Sequence, residues 1–257
     1  MAGHSRQTTH HNHCIRETQL DRLIKARKNG KFRQIVEPGT LRFLEFATLQ
    51  LEQGERHSLE TGFREHLLDV FSGTITLTIN TEGHSKEIYS KIGIRTDVFS
   101  GPPVMSYIPP SSQVEIKADS AADLGIFSAP SSTFNAAALM EGATVSSKQV
   151  GRDNWQRTVY SALDQNVPAE HPLAGETLNP PGNWSSFPPH KHDCSNPPHE
   201  AVLEEVYYFR FKPAQGFGFI WTYTAAGDPA GFSYVFMVED RDTVLLPISP
   251  RRRCARL

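Results

Sequence analysis

From Phe32 onward the chain contains short stretches in which apolar and polar residues alternate, a pattern typical of β-strands with one buried face. Glycine, proline, asparagine and aspartate residues lie between these stretches, as expected for turns. Two of the stretches flank Gly73 and are predicted to form a hairpin. The predicted strands of the first half cover residues 41–51, 66–71, 74–79, 104–108, 114–117 and 124–128. Their number and spacing favour an all-β barrel.

The second half continues this pattern after a segment of different character. Residues 131–150 are small, polar and rich in glycine, alanine and serine, which indicates a linker. Residues 1–16 are polar and contain four histidines, so we expect a solvated, disordered arm. Residues 19–31 are predicted as a short amphipathic helix or an exposed polar segment. The later predicted strands cover residues 184–193, 201–211, 218–224, 232–238 and 243–246.

His190 and His192 form a His-x-His pair, and Glu205 follows His192 by thirteen residues. Residues i and i+2 of a strand project to the same face, so both imidazoles would point together. An antiparallel return strand could then bring one carboxylate beside them. Parity favours Glu205 over Glu204, because the face of Glu205 carries mostly apolar side chains and the face of Glu204 is half charged.

Two imidazoles and a carboxylate are typical ligands of a divalent transition metal that keeps open positions for substrate. The alternative is a pair of solvated histidines in a loop, although Pro188 and Pro189 stiffen the approach to the pair. Cys194 would face the same site if the strand continued, but the turn at residues 195–198 is predicted to end it. The candidate ligands of the first half lack this spacing, and we predict no metal there. They are His57, Glu65 and His66.

Composition narrows the classes of function. A chain of 257 residues with 38% hydrophobic content can bury one large core or two small ones. A net charge of −2 gives no basic surface for nucleic acid or for an anionic membrane. We find no apolar run of about 18 residues and no apolar signal-peptide core, so we expect neither a membrane span nor secretion. Three widely spaced cysteines fit a reducing cytoplasm better than a disulfide framework.

Four segments of the chain resemble the 5-deoxy-glucuronate isomerase family of myo-inositol catabolism, which is related to the uronate ketol-isomerases of pectin breakdown. The resemblance extends from about Phe32 to about Pro247 and is most specific between Gly175 and Tyr223. The segments are ETLNPPGNWSS at 176–186, PHKHD at 189–193, LEEVYYFRF at 203–211 and PAQGFGF at 213–219.

The resemblance implies a bicupin, in which two cupin-type β-barrels are fused. The first barrel, without metal, would cover residues 32–130, and the second, with the metal site, residues 171–247. Residues 131–170 would form a linker and crossing segment. Residues 1–31 would be a polar arm, and residues 248–257 a divergent basic tail.

Carried over residue by residue, the family's metal ligands fall on His190, His192 and Glu205, which the parity argument reaches independently. The implied reaction is aldose–ketose isomerisation of a small sugar acid, 5-deoxy-D-glucuronate, to 5-dehydro-2-deoxy-D-gluconate. Glu205 and Tyr207 would be its catalytic residues. Arg157, in a segment similar to the family's crossing between barrels, could bind the substrate carboxylate or form an inter-barrel ion pair. Zinc is the favoured metal, with manganese or iron as alternatives.

Two other classes of protein use the same ligand types. An iron(II) cupin dioxygenase also has two histidines and a carboxylate, and a degenerate cupin could keep the fold without catalysis. The four segments favour the isomerase, because they resemble that family specifically.

The resemblance ends after Pro247. The family's fourth ligand, a histidine on a later strand, has no counterpart beyond His199, and residues 251–256 show no alternation. We therefore expect the second barrel to lack C-terminal strands and to keep an open edge that favours a homo-oligomer. The metal would have three protein ligands unless His199 supplies the fourth, and isomerase activity would be reduced or absent.

Overall fold

The computed structural model describes residues 22–27, 30–163, 167–192, 194–224, 231–248 and 253–256. Strands dominate these ranges, which confirms the predicted all-β class, and the helices among them are the short 3-10 turns Gly142–Thr144 and Asp153–Trp155. Within the same ranges no helix has the length and apolar character needed to cross a membrane. In chain order the strands are β1 (Leu23–Ile24), β2 (Phe32–Val36), β3 (Glu45–Leu51), β4 (Arg56–Glu60), β5 (Arg64–Ser72), β6 (Ile75–Thr81), β7 (Glu87–Ile92), β8 (Met105–Ile108), β9 (Ser112–Ala118), β10 (Ala122–Pro130), β11 (Ala138–Met140), β12 (Ser146–Val150), β13 (Arg157–Leu163), β14 (Ala174–Leu178), β15 (Glu205–Tyr208), β16 (Phe217–Thr224), β17 (Ser233–Glu239), β18 (Thr243–Leu246) and β19 (Arg253–Arg256).

Two antiparallel sheets form the first barrel. The larger has the strand order β11-β8-β5-β10-β3-β2, and the smaller has the order β4-β9-β6-β7. Alternate side chains of both sheets enter one apolar core, in which Leu49 and Leu124 of the larger sheet join Leu77 and Ile116 of the smaller. Removing these side chains from water is the main source of stability for such a barrel.

The predicted hairpin around Gly73 is wrong. β5 pairs with β8 and β10, whereas β6 pairs with β7 and β9, so the two consecutive strands lie in different sheets. Gly73 lies at the crossing with a φ of +86°, and a Cβ there would lie 2.1 Å from the carbonyl oxygen of Ala121. The crossing between sheets therefore requires glycine at this position. A glycine between two strand-like stretches is also the pattern of a hairpin turn, so the sequence does not distinguish the two.

Three further sheets make up the second half of the fold, with the strand orders β12-β13-β14, β17-β16-β19 and β1-β18-β15. The helix predicted as one alternative for residues 19–31 is wrong at Leu23–Ile24, where β1 pairs with β18. The exposed segment predicted as the other alternative is found at residues 25–27, 30 and 31. Lys25 and the amide of Ala26 then bind the buried carboxylate of Asp242. Residues 23 and 24 thus belong to the sheet that contains β15.

The lack of alternation in residues 251–256 did not predict strand β19, which forms in their described part. β19 pairs antiparallel with β16, which has β17 on its other side. A strand at a sheet edge is held by backbone hydrogen bonds, and these do not require alternating side chains.

The proposed boundaries between the barrels remain predictions, and strand pairing crosses one of them. β11 lies within the predicted linker and pairs with β8 of the first barrel, while β12 pairs with β13. The two halves pack together in a cluster that includes Phe46 of β3, Leu245 of β18 and Tyr208 of β15.

The interior of the second half is lined by residues of β15 to β18. Ile220, Phe236 and Val244 are buried together, and Tyr207 packs against them. Phe219 lies on the opposite face of β16 and is 48% exposed.

Candidate metal centre

The segment that carries the two histidines is a loop. The predicted strand over residues 184–193 is wrong, because the described part of this range contains no named strand. Single backbone hydrogen bonds hold the loop instead: Trp184 N donates to Asn154 O at 2.7 Å, and Leu203 N donates to His192 O at 3.0 Å. The two prolines before the histidine pair have no amide hydrogen, which disfavours a continuous ladder here.

This loop and β15 bring His190, His192 and Glu205 together. One ligand atom from each lies within 4.8 Å of the others, and this is the one group of three or more His, Cys, Asp or Glu side chains found so close in the described part of the chain. The imidazole rings are nearly perpendicular, with centroids 5.0 Å apart. His192 Nε2 lies 3.4 Å from Glu205 Oε1. Two ligand atoms of a tetrahedral ion with usual bond lengths have about this separation.

The two neighbouring glutamates point in different directions. Glu205 faces the histidines, and Tyr207, two residues further along β15, donates a hydrogen bond from its hydroxyl to Glu205 Oε2 at 2.6 Å. Glu204 instead accepts hydrogen bonds from the backbone amides of residues 42–44 of the first barrel. Its side chain is buried although its face was predicted to be half charged and outward. Sequence reasoning missed this contact, because a carboxylate that binds distant amides leaves no periodic signal.

Burial and neighbouring charges shift the pKa values of His190 and Tyr207. Desolvation lowers the pKa of His190, and the adjacent His192 and Arg157 lower it further against the opposing effect of Glu205. A neutral imidazole is the form that binds a metal ion. Burial also raises the pKa of Tyr207 well above its usual value, and the negative charge of Glu205 adds to this rise. The phenol therefore keeps its proton at neutral pH.

Arg157 begins β13 and lies close enough to His190 to affect its pKa. Its Nη1 donates a hydrogen bond to Trp155 O at 3.3 Å, and the residue is half-buried. A guanidinium has five N–H donors, so this single bond leaves capacity for a carboxylate. A fixed positive charge therefore acts on His190 of the three-residue group.

Other candidate ligands of the second half lie outside this group. Cys194 is half-buried and His199 is exposed, and neither belongs to the cluster of ligand atoms. Asp193 and the histidines of residues 1–16 lie outside the described residues.

The candidates of the first barrel have other contacts. His57 stacks on Phe32 with ring centroids 5.3 Å apart. The fully buried Glu65 accepts a hydrogen bond from the hydroxyl of Tyr107 at 2.9 Å. Burial lowers the pKa of His66 to about 4.

The three grouped residues fit a first-row divalent ion. They offer two imidazole nitrogens and one carboxylate oxygen, a set that binds Zn²⁺, Mn²⁺ or Fe²⁺ and leaves coordination positions open. His190 is exposed, and His192 and Glu205 are half-buried, so solvent and small molecules can reach the group.

Comparison with known proteins agrees with this architecture. The model of the KduI/IolB family matches residues 22–251. A 5-deoxy-glucuronate isomerase of Geobacillus kaustophilus (strain HTA426) is 32% identical over 206 residues, which cover 80% of this chain and 72% of that protein. A solved structure of an IolB-like protein from Salmonella typhimurium LT2 aligns over 91% of this chain and 90% of its own, with a TM-score of 0.78 and 24% identity.

A more distant neighbour is the oxalate decarboxylase of Bacillus subtilis, which contains Mn(II) centres. It aligns over 83% of this chain and 65% of its own, with a TM-score of 0.56 and 13% identity. Similarity at this level shows the fold alone, since cupins support many activities. Together the two structures confirm the predicted bicupin class.

Proposed function

Because this chain belongs to the KduI/IolB family, we propose that it is a metal-dependent aldose–ketose isomerase that converts 5-deoxy-D-glucuronate to 5-dehydro-2-deoxy-D-gluconate in myo-inositol catabolism. The relatives named 5-deoxy-glucuronate isomerase support the isomerase class. The observation that carries the metal-dependent part is the convergence of His190, His192 and Glu205. We assign these residues as metal ligands, with zinc first and manganese or iron as alternatives, and we place the enzyme in the cytoplasm.

Isomerisation of an aldose moves hydrogen between two adjacent carbons and exchanges the carbonyl and hydroxyl groups. A divalent ion held by the three residues would polarise the substrate carbonyl and its neighbouring hydroxyl. The two carboxylate oxygens of Glu205 have different contacts: Oε1 lies beside His192, and Oε2 accepts the hydrogen bond of Tyr207. Tyr207 is a neutral donor at physiological pH, so this pair can hold a proton next to a substrate oxygen. The apolar residues around Tyr207 restrict water on its inner side.

We assign Arg157 to the substrate carboxylate. Its positive charge lies near His190, and guanidinium groups bind carboxylates with two parallel hydrogen bonds when geometry permits. A carboxylate held there would fix the sugar acid relative to the proposed metal ligands. Orientation of this kind contributes to catalysis by removing rotational freedom before the reaction.

The test uses the full 257-residue chain, stripped of metal with a chelator and reloaded with Zn²⁺, Mn²⁺ or Fe²⁺. Conversion of 5-deoxy-D-glucuronate is followed by ¹³C NMR, bound metal by mass spectrometry and oxygen consumption with an electrode. We expect about one bound ion per chain, metal-dependent formation of the ketone and no oxygen uptake. Oxygen uptake with Fe²⁺ would support a dioxygenase instead. The absence of both turnover and stoichiometric metal would indicate a degenerate cupin.

A further inference from the structure

Glu204, the residue before β15, is anchored in the first barrel. Its carboxylate accepts three successive backbone amides: Oε2 accepts from Arg42 at 3.0 Å, and Oε1 accepts from Phe43 and Leu44, each at 2.6 Å. The side chain is buried, with 9% of the residue exposed. Consecutive amides that converge on one anion form a strong and specific binding concavity, and hydrogen bonds to a charged acceptor are about twice as strong as neutral ones.

This anchor is adjacent to the carboxylate of the candidate metal centre. Side chains of consecutive residues in an extended chain point to opposite sides, so Glu204 contacts the first barrel while Glu205 faces His190 and His192. β15 lies at the edge of its described sheet and pairs there with β18. An edge strand is held by fewer backbone bonds than a central one, so the Glu204 contact adds a constraint where the metal-binding side chain begins.

We propose that Glu204 is a positioning residue, through which the first barrel holds Glu205 in the geometry for metal binding. The inference rests on the proposed metal site. The proposed role of Glu204 would make the first barrel contribute to the metal site, although the predicted ligands all lie in the second barrel. Outer-shell residues that orient a ligand typically affect metal affinity by about 10–100-fold when they are replaced.

A second buried carboxylate provides a matched control. Glu65 of β5 is fully buried, and it accepts the backbone amides of Glu170 at 3.0 Å and His171 at 2.8 Å. It therefore resembles Glu204 in chemistry and in joining the first barrel to a later segment of the chain. Glu65 also accepts a hydrogen bond from the hydroxyl of Tyr107, but neither Glu65 nor any of these partners is next to a proposed ligand in the chain. If metal affinity depends only on general docking of the first barrel against the later segments, variants at both positions should lose affinity. If it depends on ligand orientation, only variants at Glu204 should lose it.

The experiment compares the metal-free full-length chain with its E204Q, E204A and E65Q variants. E204Q is nearly isosteric and keeps one acceptor, so it folds even if E204A does not. Zn²⁺ affinity is measured by calorimetric titration, the geometry of the site by the visible absorption of bound Co²⁺, and the apo-protein melting temperature by circular dichroism. We expect Zn²⁺ affinity to fall about 10-fold in E204Q and up to about 100-fold in E204A, with an altered Co²⁺ spectrum. E65Q should keep its affinity within about twofold, even where its melting temperature falls as far as that of E204Q.

Equal metal affinity in the wild type and both Glu204 variants would overturn the inference. An equal loss in E65Q would overturn it too, because general docking would then explain the effect. A wild-type chain that binds no metal would instead refute the proposed function itself, which separates the two failures.

Discussion

Tyr207 and Glu205 are joined by a hydrogen bond of 2.6 Å along one face of β15. The bond engages the carboxylate oxygen that points away from His192, whose Nε2 lies 3.4 Å from the other oxygen. One carboxylate therefore contacts both the proposed ligand set and a protonated phenol. This arrangement separates the role of the phenol from the role of the ligand, and the two can be tested independently.

Replacement of Tyr207 by phenylalanine removes the hydroxyl and keeps the ring that packs in the interior. We expect kcat to fall by about 10²-fold, the lower end of the range for general acid–base groups, with bound metal unchanged. Steady-state kinetics and metal analysis of Tyr207→Phe check this. Tyr208→Phe is the control, because Tyr208 lies on the opposite face and its hydroxyl contacts Arg241. A loss of metal equal to the loss of activity would show that Tyr207 only supports the ligand.

Removal of either histidine should abolish stoichiometric metal binding. Because His190 and His192 would each supply one of three protein ligands, we expect alanine at either position to weaken affinity by more than the ~10–100-fold typical of outer-shell changes. The measurement is equilibrium dialysis followed by elemental analysis. His57→Ala should retain metal, since His57 stacks on Phe32 in the first barrel. Full metal content in His190→Ala would place the site elsewhere.

Neutralising Arg157 should weaken substrate binding more than chemistry. A hydrogen-bonded charge pair contributes about 1.5–3 kcal/mol, so we expect Arg157→Gln to raise KM by about 10–100-fold with a smaller change in kcat. Arg157→Lys should be intermediate because it keeps the charge and loses the planar fork. Arg152→Gln is the control, since Arg152 is exposed. An unchanged KM in Arg157→Gln would favour the structural ion pair instead.

The buried pair Asp69 and Arg95, together with the half-buried Glu176, predicts a pH dependence of stability. Arg95 Nη2 lies 3.3 Å from Asp69 Oδ1 and 2.6 Å from Glu176 Oε1. Desolvation raises the pKa of Asp69 well above its usual value, and Glu176 adds to this effect against Arg95. Between the unfolded pKa near 4 and the raised folded pKa, the folded chain binds more protons than the unfolded chain. The free energy of unfolding should therefore decrease as pH rises through this window, by at most about 1.4 kcal/mol per pH unit.

Urea denaturation between about pH 2 and pH 8 measures this effect and also covers the acidic range in which Asp97 titrates. Asp69→Asn cannot lose a proton, so its decrease should be smaller than that of the wild type. Asp97 provides a control of opposite sign, because the hydrogen bond from Lys212 lowers its pKa. The stability that Asp97 contributes should be present above its unfolded pKa and lost as pH falls through the folded pKa. Parallel pH profiles of the wild type and Asp69→Asn would show that Asp69 is not the responsible group.

Local periodicity predicted about half of the strands and favoured one of two neighbouring glutamates. The alternation of Ile75, Leu77 and Ile79 identifies β6, and the predicted range 243–246 coincides with β18. Parity favoured Glu205, and in the structure Glu205 rather than Glu204 lies beside the two histidines, although these lie on a loop rather than on the predicted strand. The burial of one face repeats every two residues, so it is visible in any short window of the sequence.

Strand pairing and hydrogen bonds between residues far apart in the sequence could be identified only from the tertiary structure. The two-residue β1 and the basic β19 are strands because β18 and β16 offer them backbone groups, which no side-chain pattern records. Gly73 allows a turn or a crossing between sheets, and contacts across the whole barrel select the crossing. Glu204 reads as a solvated charge, yet it is buried because amides about 160 residues away satisfy it. Side-chain alternation is a local consequence of burial, whereas strand pairing and the burial of charge depend on which distant groups the complete fold brings into contact.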